Sequence, residues 1–161
     1  MVMVVAKVIV IYDSKFGNTK LVAEIIAKGM SGVKGIDAVF KELAEVDPGK
    51  LIDYDAILMG SPNHYGGPTK RVKGFIERLG KLQLKGKPCA VFDTYLGKKS
   101  SYFFEKAVKK MEKIIKEKAP ELKRIAPGLS IKVQGMKGPI ADGELPKCKE
   151  FGKKIADQLK T

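Results

Sequence analysis

Val8-Ile9-Val10-Ile11-Tyr12-Asp13-Ser14-Lys15-Phe16-Gly17-Asn18-Thr19 is the stretch from which the fold can be read. Its first four residues are β-branched and apolar without alternation, the pattern of a strand buried on both faces. Small and polar residues follow. From Thr19 to Met30 the apolar residues Leu21, Val22, Ile25 and Ile26 then recur at helical spacing, and Gly29 and Gly32 punctuate the end. A buried strand, a tight loop and an amphipathic helix make the opening unit of an α/β fold.

The pattern repeats outward from there. Asp37 to Phe40 reads as a second strand, and Asp47-Pro48-Gly49 as a turn. A third strand, Ala56-Ile57-Leu58-Met59, runs into Gly60-Ser61-Pro62, and a helix follows over Thr69 to Leu79 with Val72, Phe75, Ile76 and Leu79 on one face. Pro88 to Phe92 makes a fourth strand with Asp93-Thr94 after it. The next helix, about Ser100 to Lys118, turns Phe104, Val108, Met111 and Ile115 inward and stops short of Pro120. Leu129 to Val133 alternates as a fifth strand. A Gly- and Pro-rich loop leads to a last helix over Leu145 to Lys160, with Cys148, Phe151, Ile155 and Leu159 on its apolar side. Strands alternating with helices predict right-handed crossovers and a doubly wound parallel sheet with helices on both faces. Ligands of such sheets bind beyond the carboxyl ends of the strands, which directs attention to the loops after strands one, three and four.

Composition agrees. At 161 residues, 44% hydrophobic and 30% charged, the chain is expected to form a single globular domain over residues 1–161, which excludes wholesale disorder. Cys89 and Cys148 are too few for a disulfide framework or a four-ligand zinc site and read as small buried hydrophobes. The apolar start, Met1 to Tyr12, has no basic leader, is interrupted by Lys7 and lacks a cleavage site, so it does not read as a signal peptide. No segment reaches transmembrane length, so membrane insertion is not expected and a cytoplasmic location is. Thirty-one Lys and Arg against eighteen Asp and Glu leave a net charge of +13. Such a surface attracts nucleic acid, anionic membranes or acidic proteins. The lysines are spread over every helix with no basic-aromatic motif or helix-turn-helix, so nucleic-acid binding is not expected. Many lysines with few Asn and Gln also fit a thermophilic composition.

The three loops carry the chemistry. Ser14, Gly17, Asn18 and Thr19 stand directly before a helix N-terminus, whose free N–H groups and dipole form a seat for phosphate. The same residues would also serve an ordinary turn capped by Asn18 or Thr19. The loop is neither a Walker A sequence nor a GxGxxG fingerprint. Gly60 to Pro68 is dense in Gly and Pro, letting backbone approach a flat ligand, and it carries Asn63, His64 and Tyr65. Asp93-Thr94-Tyr95-Leu96-Gly97 brings a second aromatic to the same end of the sheet. Two aromatic loops beside a phosphate loop point to a planar ring joined to a phosphate.

On these motifs the chain resembles the flavodoxins over essentially its full length. The resemblance implies a five-stranded sheet of order 2-1-3-4-5 and FMN as cofactor. It implies that Ser14, Lys15, Phe16, Gly17, Asn18 and Thr19 hold the FMN phosphate. Ser61, Pro62, Asn63, His64, Tyr65, Gly66 and Gly67 would then face Thr94, Tyr95, Leu96 and Gly97 across the isoalloxazine ring. The loops lean toward the flavodoxin-like domain of A-type flavoproteins, here as a stand-alone version without the metal-binding oxygen-reductase domain. No catalytic side chain and no metal are implied, and His64, the only histidine, is expected to be an exposed loop residue near the ring edge. The implied function is a carrier shuttling single electrons between redox partners through the flavin semiquinone, as a monomer or weak homodimer. The competing reading is an FMN-dependent NAD(P)H:quinone reductase of the WrbA-like kind on the same fold. The chain departs from the family at Leu96-Gly97, where a glycine followed by a bulky aromatic is frequent, and at Asp93, where a small residue is. It also departs in charge. Flavodoxins are typically acidic, whereas Lys15, Lys70, Arg71, Lys98 and Lys99 lie in or beside these loops. Partners with acidic docking surfaces are therefore expected.

Overall fold

A computed structural model describes residues 3–97 and 106–160. Among the described residues ten strands and α-helices run in chain order. They are β1 (Ala6–Tyr12), α1 (Asn18–Ser31), β2 (Ile36–Glu42), β3 (Ala56–Pro62), α2 (Lys70–Leu79), β4 (Pro88–Leu96), α3 (Ala107–Lys118), β5 (Lys123–Arg124), β6 (Leu129–Val133) and α4 (Leu145–Leu159). All pairings within the sheet are parallel, in the order β2-β1-β3-β4-β5, with β6 also on β4.

The doubly wound parallel sheet and its strand order are thus as expected, and the differences lie in detail. The fifth position is split. β5 pairs with the start of β4 (Pro88↔Lys123, Cys89↔Arg124) and β6 with its end (Phe92↔Leu129 to Leu96↔Val133). Lys123–Arg124, both exposed, carry no apolar pattern from which a strand could be read. Gly60-Ser61-Pro62 and Asp93 to Leu96, read as loops, continue β3 and β4, because each half of the pair supplies the other's ladder (Ser61↔Asp93, Pro62↔Thr94). The Asp47 turn opens a 3-10 segment, Pro48–Asp53, in which Asp47 Oδ1 accepts from the Gly49 N–H at 3.0 Å. α3 begins at Ala107, and the expected earlier turns, with Phe104, lie outside the described residues. In α1 the buried stripe is Val22, Ala23, Ile26, Ala27 and Met30; Leu21 falls off it and is 38% exposed.

Alternation along each central strand divides the core in two. Val8, Val10, Ala56, Leu58, Ala90 and Phe92 face α1 and α4, while Ile9, Ile11, Ile57, Met59, Cys89 and Val91 face α2 and α3. The run Val8 to Ile11 is at most 2% exposed, as a strand covered on both faces must be. Each such side chain contributes about 1.5–3 kcal/mol of burial. Cys89 and Cys148 are buried one in each half, and desolvation pushes their thiols up to about 11 and about 12, so they pack as small hydrophobes.

α1 and α4 pack backbone to backbone. A Cβ on Gly29 would meet the Lys149 carbonyl, and one on Gly152 would meet the Ile26 carbonyl. These reciprocal glycines fix where α1, and hence its N-terminal end, sits against the sheet.

Candidate functional site

The carboxyl ends of β1, β3 and β4 are tied to one another before any ligand is considered. The Asp13 N–H donates to the Gly60 carbonyl at 3.1 Å, and the Asn63 N–H to the Thr94 carbonyl at 2.8 Å. The Thr19 and Thr94 hydroxyls share a buried hydrogen bond of 2.9 Å. First, second and third loops therefore form one rigid rim.

At the first loop Gly17 occupies the N-cap position of α1 with φ 92°, a left-handed conformation that glycine adopts without strain. Its own N–H donates to Ser14 Oγ at 3.0 Å. The expected cap by Asn18 or Thr19 is not formed. Thr19 reaches across to Thr94 instead, and the first turn of α1 has neither a side-chain cap nor an acidic residue. The leading N–H groups of α1 are thus left for an anion, with the positive end of the helix behind them.

The second loop is a two-residue hairpin. The His64 N–H donates to the Gly67 carbonyl at 2.7 Å and the Gly67 N–H to the His64 carbonyl at 3.1 Å. Tyr65 (φ 50°) and Gly66 (φ 84°) are both left-handed, which is a type I′ turn. Position one of that turn favours Asn, Asp or Gly, yet here a tyrosine takes it and is 92% exposed. Neither packing nor turn preference explains Tyr65. His64 is exposed, as expected.

Below this hairpin lies a polar brace. Arg71 donates to Asp13 Oδ1 at 2.7 Å and pairs with Glu42 at 2.9 Å, while the Thr69 hydroxyl donates to Asp13 Oδ2 at 2.7 Å and caps α2 through the Val72 N–H. Ser61 is fully buried, and its Oγ donates to the Pro62 carbonyl and accepts from the Thr69 N–H. It shapes the loop from beneath.

A cleft of about 550 Å³ opens between the three loops, within the size range of small-ligand sites. It brings together Ser14, Lys15, Phe16, Asn18, Thr19, Pro62, Asn63, His64, Tyr65, Gly66, Thr94, Tyr95 and Leu96. Gly17, Ser61, Gly67 and Gly97 do not line it. Gly17 and Ser61 act on the loops' shape, and Gly67 closes the hairpin beneath the Lys110 stem. Two further lining residues, Val133 and Met136, come from the end of β6 and the loop after it. The signal for them was the Gly- and Pro-rich stretch after the last strand, which ends at the same edge of the sheet as the other three loops. A second groove, about 670 Å³, lies across the Tyr65 hairpin and is lined by Lys15, Lys70 and Arg71 among others.

Two side chains near the third loop make contacts that the sequence did not reveal. Lys106 Nζ lies 4.3 Å from the centre of the Tyr95 ring. Asp93 is completely buried at the end of β4, where its Oδ2 accepts from the Val108 N–H at 3.0 Å and so holds the start of α3. Burial pushes its carboxyl up to about 6, against the opposing pull of the Val108 N–H and the Ser130 hydroxyl. Lys98 and Lys99 lie outside the described residues.

The donor set fits a phosphorylated flat ring. Uncapped helix N–H groups and the Ser14 hydroxyl suit a phosphate, and the tyrosines, Leu96 and Met136 offer apolar walls. Asn63 Oδ1, buried without a partner, is an acceptor ready for a ring N–H. Among the described residues no cluster of three His, Cys, Asp or Glu side chains could hold a metal, and no helix is long and apolar enough to cross a membrane.

Comparison with known proteins follows the same line. A flavodoxin from the domain Archaea is 27% identical, with a TM-score of 0.80 over 96% of this chain and 99% of that one. Flavodoxin 2 from Bacillus cereus is 26% identical, with a TM-score of 0.78 over 95% and 99%. Rubredoxin oxygen:oxidoreductase from the anaerobe Desulfovibrio gigas shares the fold at 19% identity, with a TM-score of 0.75 over 96% of this chain but 36% of that protein. Proteins of the flavodoxin family bind FMN and transfer electrons to redox partners. The family model for the flavodoxin domain matches residues 9–128, and the chain belongs to the flavodoxin family.

Proposed function

We propose that residues 1–161 form one FMN-binding domain that works as a cytoplasmic single-electron carrier between redox partners with acidic docking surfaces. The observation that carries this reading is the pairing of an uncapped, acid-free α1 N-terminus with an aromatic-walled cleft on one rigid rim. Bound FMN would supply the redox chemistry, and the protein would supply binding, orientation and electrostatics.

Each segment has a distinct task. The N–H groups of Asn18 and Thr19, with Ser14, would hold the phosphate, and Gly17 keeps the loop open in front of them. Tyr65 and Tyr95 would flank the ring, with Asn63 Oδ1 accepting from it. In the hairpin both cross-strand hydrogen bonds belong to His64 and Gly67, so the Tyr65–Gly66 peptide makes neither of them and can present its groups to the ring edge. The Thr19–Thr94 bond keeps the phosphate loop and the ring loop at a constant separation. No side chain has to act as acid, base or nucleophile.

Titration of the purified chain with FMN is the test. Quenching of flavin fluorescence at one FMN per chain, and electron transfer that needs a separate reductase, are the expected results. Absence of quenching overturns the cofactor assignment. Steady NADPH oxidation with benzoquinone by the chain alone would replace the carrier with a quinone reductase.

A further inference from the structure

Lysines occur on every helix, but the net charge of +13 is not shared evenly over the fold. The span from the start of α2 to the end of β5, residues 70–124, holds seventeen Lys and Arg against six Asp and Glu, and so carries +11 of it. In α3 the side opposite the buried Val108, Met111 and Ile115 presents Lys109, Lys113 and Lys116, spaced i, i+4 and i+7 and all exposed. Exposed Lys73 and Arg78 in α2, and Lys81 just after it, extend the area. Among the described residues none of these six cations takes part in an ion pair. The acids nearby are few. Glu112 is held by Arg124 and Glu77 is half-buried, which leaves Glu117 and Glu121 as the exposed acids among the described residues of the span.

α2 and α3 pack side by side on one face of the sheet, over Ile57, Met59 and Val91. Each joins two parallel strands, so their axes run alongside each other in a layer about 15–18 Å long. No large apolar side chain among the described residues of this layer is exposed. Its leading amides are also taken: Thr69 caps α2 through the Val72 N–H, and Asp93 accepts from the Val108 N–H at the start of α3. On the same side of the sheet the connection from β2 to β3 carries Glu45, Asp47, Asp53 and Asp55, which bound the cationic area. On the opposite face the charges are mixed. Lys28 pairs there with Glu24 and Lys147 with Glu144, and Glu150 and Asp157 stand among the lysines of α4.

We propose that the α2–α3 layer adsorbs, without insertion, on an anionic lipid bilayer. A plane of unpaired lysines gains from the negative potential of such a surface, while no exposed apolar side chain draws the layer below the headgroups. Nucleic acid fits less well, because the layer has no exposed aromatic among its described residues to stack on a base and no free helix N-terminus to hold a phosphate. The helix axes lie along the strands, so an adsorbed chain holds its sheet parallel to the membrane. The cleft at the carboxyl edge of the sheet then opens sideways along the surface and stays uncovered. The inference goes beyond the carrier reading and needs no cofactor.

The test is co-sedimentation of the full chain with vesicles of phosphatidylglycerol and phosphatidylcholine, and with vesicles of phosphatidylcholine alone, from low to high NaCl. Binding to the anionic vesicles only, lost as salt is raised, is the expected result. Each lysine near an anionic leaflet is worth about fivefold in partitioning, so changing Lys109, Lys113 and Lys116 together to Gln should weaken binding about tenfold or more. Changing the three to Glu should weaken it further, and the Gln variant decides the matter if the Glu variant does not fold. A control with the same changes at Lys149, Lys153 and Lys160, exposed on or just after α4, should lose less than about twofold. Equal losses in the two sets, equal binding to phosphatidylcholine alone, or no binding to anionic vesicles at low salt overturn the proposal. So does tighter binding to an RNA or DNA oligonucleotide than to vesicles at equal phosphate concentration, which would assign the face to nucleic acid. FMN affinity in fluorescence titration should be the same with and without saturating vesicles, and mutual exclusion overturns the sideways orientation. If the chain binds no FMN, the carrier reading falls and sedimentation still decides the face.

Discussion

Replacing Asp93 with Asn should remove one pH-dependent contribution to stability across the acid range. Asp93 is fully buried, its Oδ2 accepts the Val108 N–H at 3.0 Å, and its carboxyl titrates near 6 instead of the ordinary 3.8. Between those two values the folded chain holds the Asp93 proton more tightly than the unfolded chain does. Stability from this group is therefore fully present below 3.8 and is lost as pH rises through 6. At 1.36 kcal/mol per pH unit, the loss amounts to about 3 kcal/mol once both forms are ionised. Asn keeps an oxygen for the Val108 N–H, and with it the tether to α3, but does not titrate. Urea unfolding followed by circular dichroism from pH 4 to pH 7, on both proteins, gives the difference directly. Asp93→Asn should gain about 2–3 kcal/mol relative to the parent over that interval. A difference that stays flat with pH, or that moves the other way, would refute the reasoning.

Other perturbations probe separate features. Gly29→Ala puts a methyl group against the Lys149 carbonyl and should cost about 1–3 kcal/mol in chemical denaturation by forcing α1 and α4 apart. Tyr65→Asn suits the left-handed position of the type I′ turn and should stabilise the FMN-free chain by about 1 kcal/mol in thermal unfolding, while weakening FMN binding in fluorescence titration. Arg71→Met leaves the buried Asp13 with Thr69 alone and should cost about 1–2 kcal/mol; because Arg71 is itself half exposed, that cost should shrink as NaCl is raised. Lys106→Met removes the cation over Tyr95 and should make the midpoint potential of bound FMN more negative, by the equivalent of about 1 kcal/mol in redox titration.

The parts of this protein that were legible in sequence are those set by periodicity. The unbroken run Val8 to Ile11 can only be a central strand, and the spacings of Val72, Phe75, Ile76 and Leu79 match a helix with one buried face. The tight loop leading into α1 was legible because glycine and hydroxyl residues before a helix are a local matter. What depended on distant partners was not. Nothing around Lys123 and Arg124 reveals that they pair with Pro88 and Cys89. The exchange of Thr19 from a cap to a cross-loop bond needs Thr94, 75 positions away. Arg71 looks like a site cation until Asp13 and Glu42 are seen beside it, and Asp93 looks like a loop residue until the start of α3 is found resting on its carboxylate.

The split fifth position has a consequence for how copies of the chain meet. An exposed strand offers rows of unpaired N–H and carbonyl groups on which another chain can add, the first step of edge-to-edge aggregation. Here the outer row is broken between Arg124 and Leu129, where Pro127 has no N–H to give. The row beyond it is answered from within, by the Ala141 N–H on the Lys132 carbonyl and the Gln134 N–H on the Pro139 carbonyl. At the opposite border Ser31 Oγ both donates to the Ala38 carbonyl and accepts its N–H in the middle of β2. Each border of the sheet is thus interrupted by the chain's own atoms, at Ala38 on one side and at Lys132 and Gln134 on the other, which works against templated strand addition in a protein whose charge already discourages self-association.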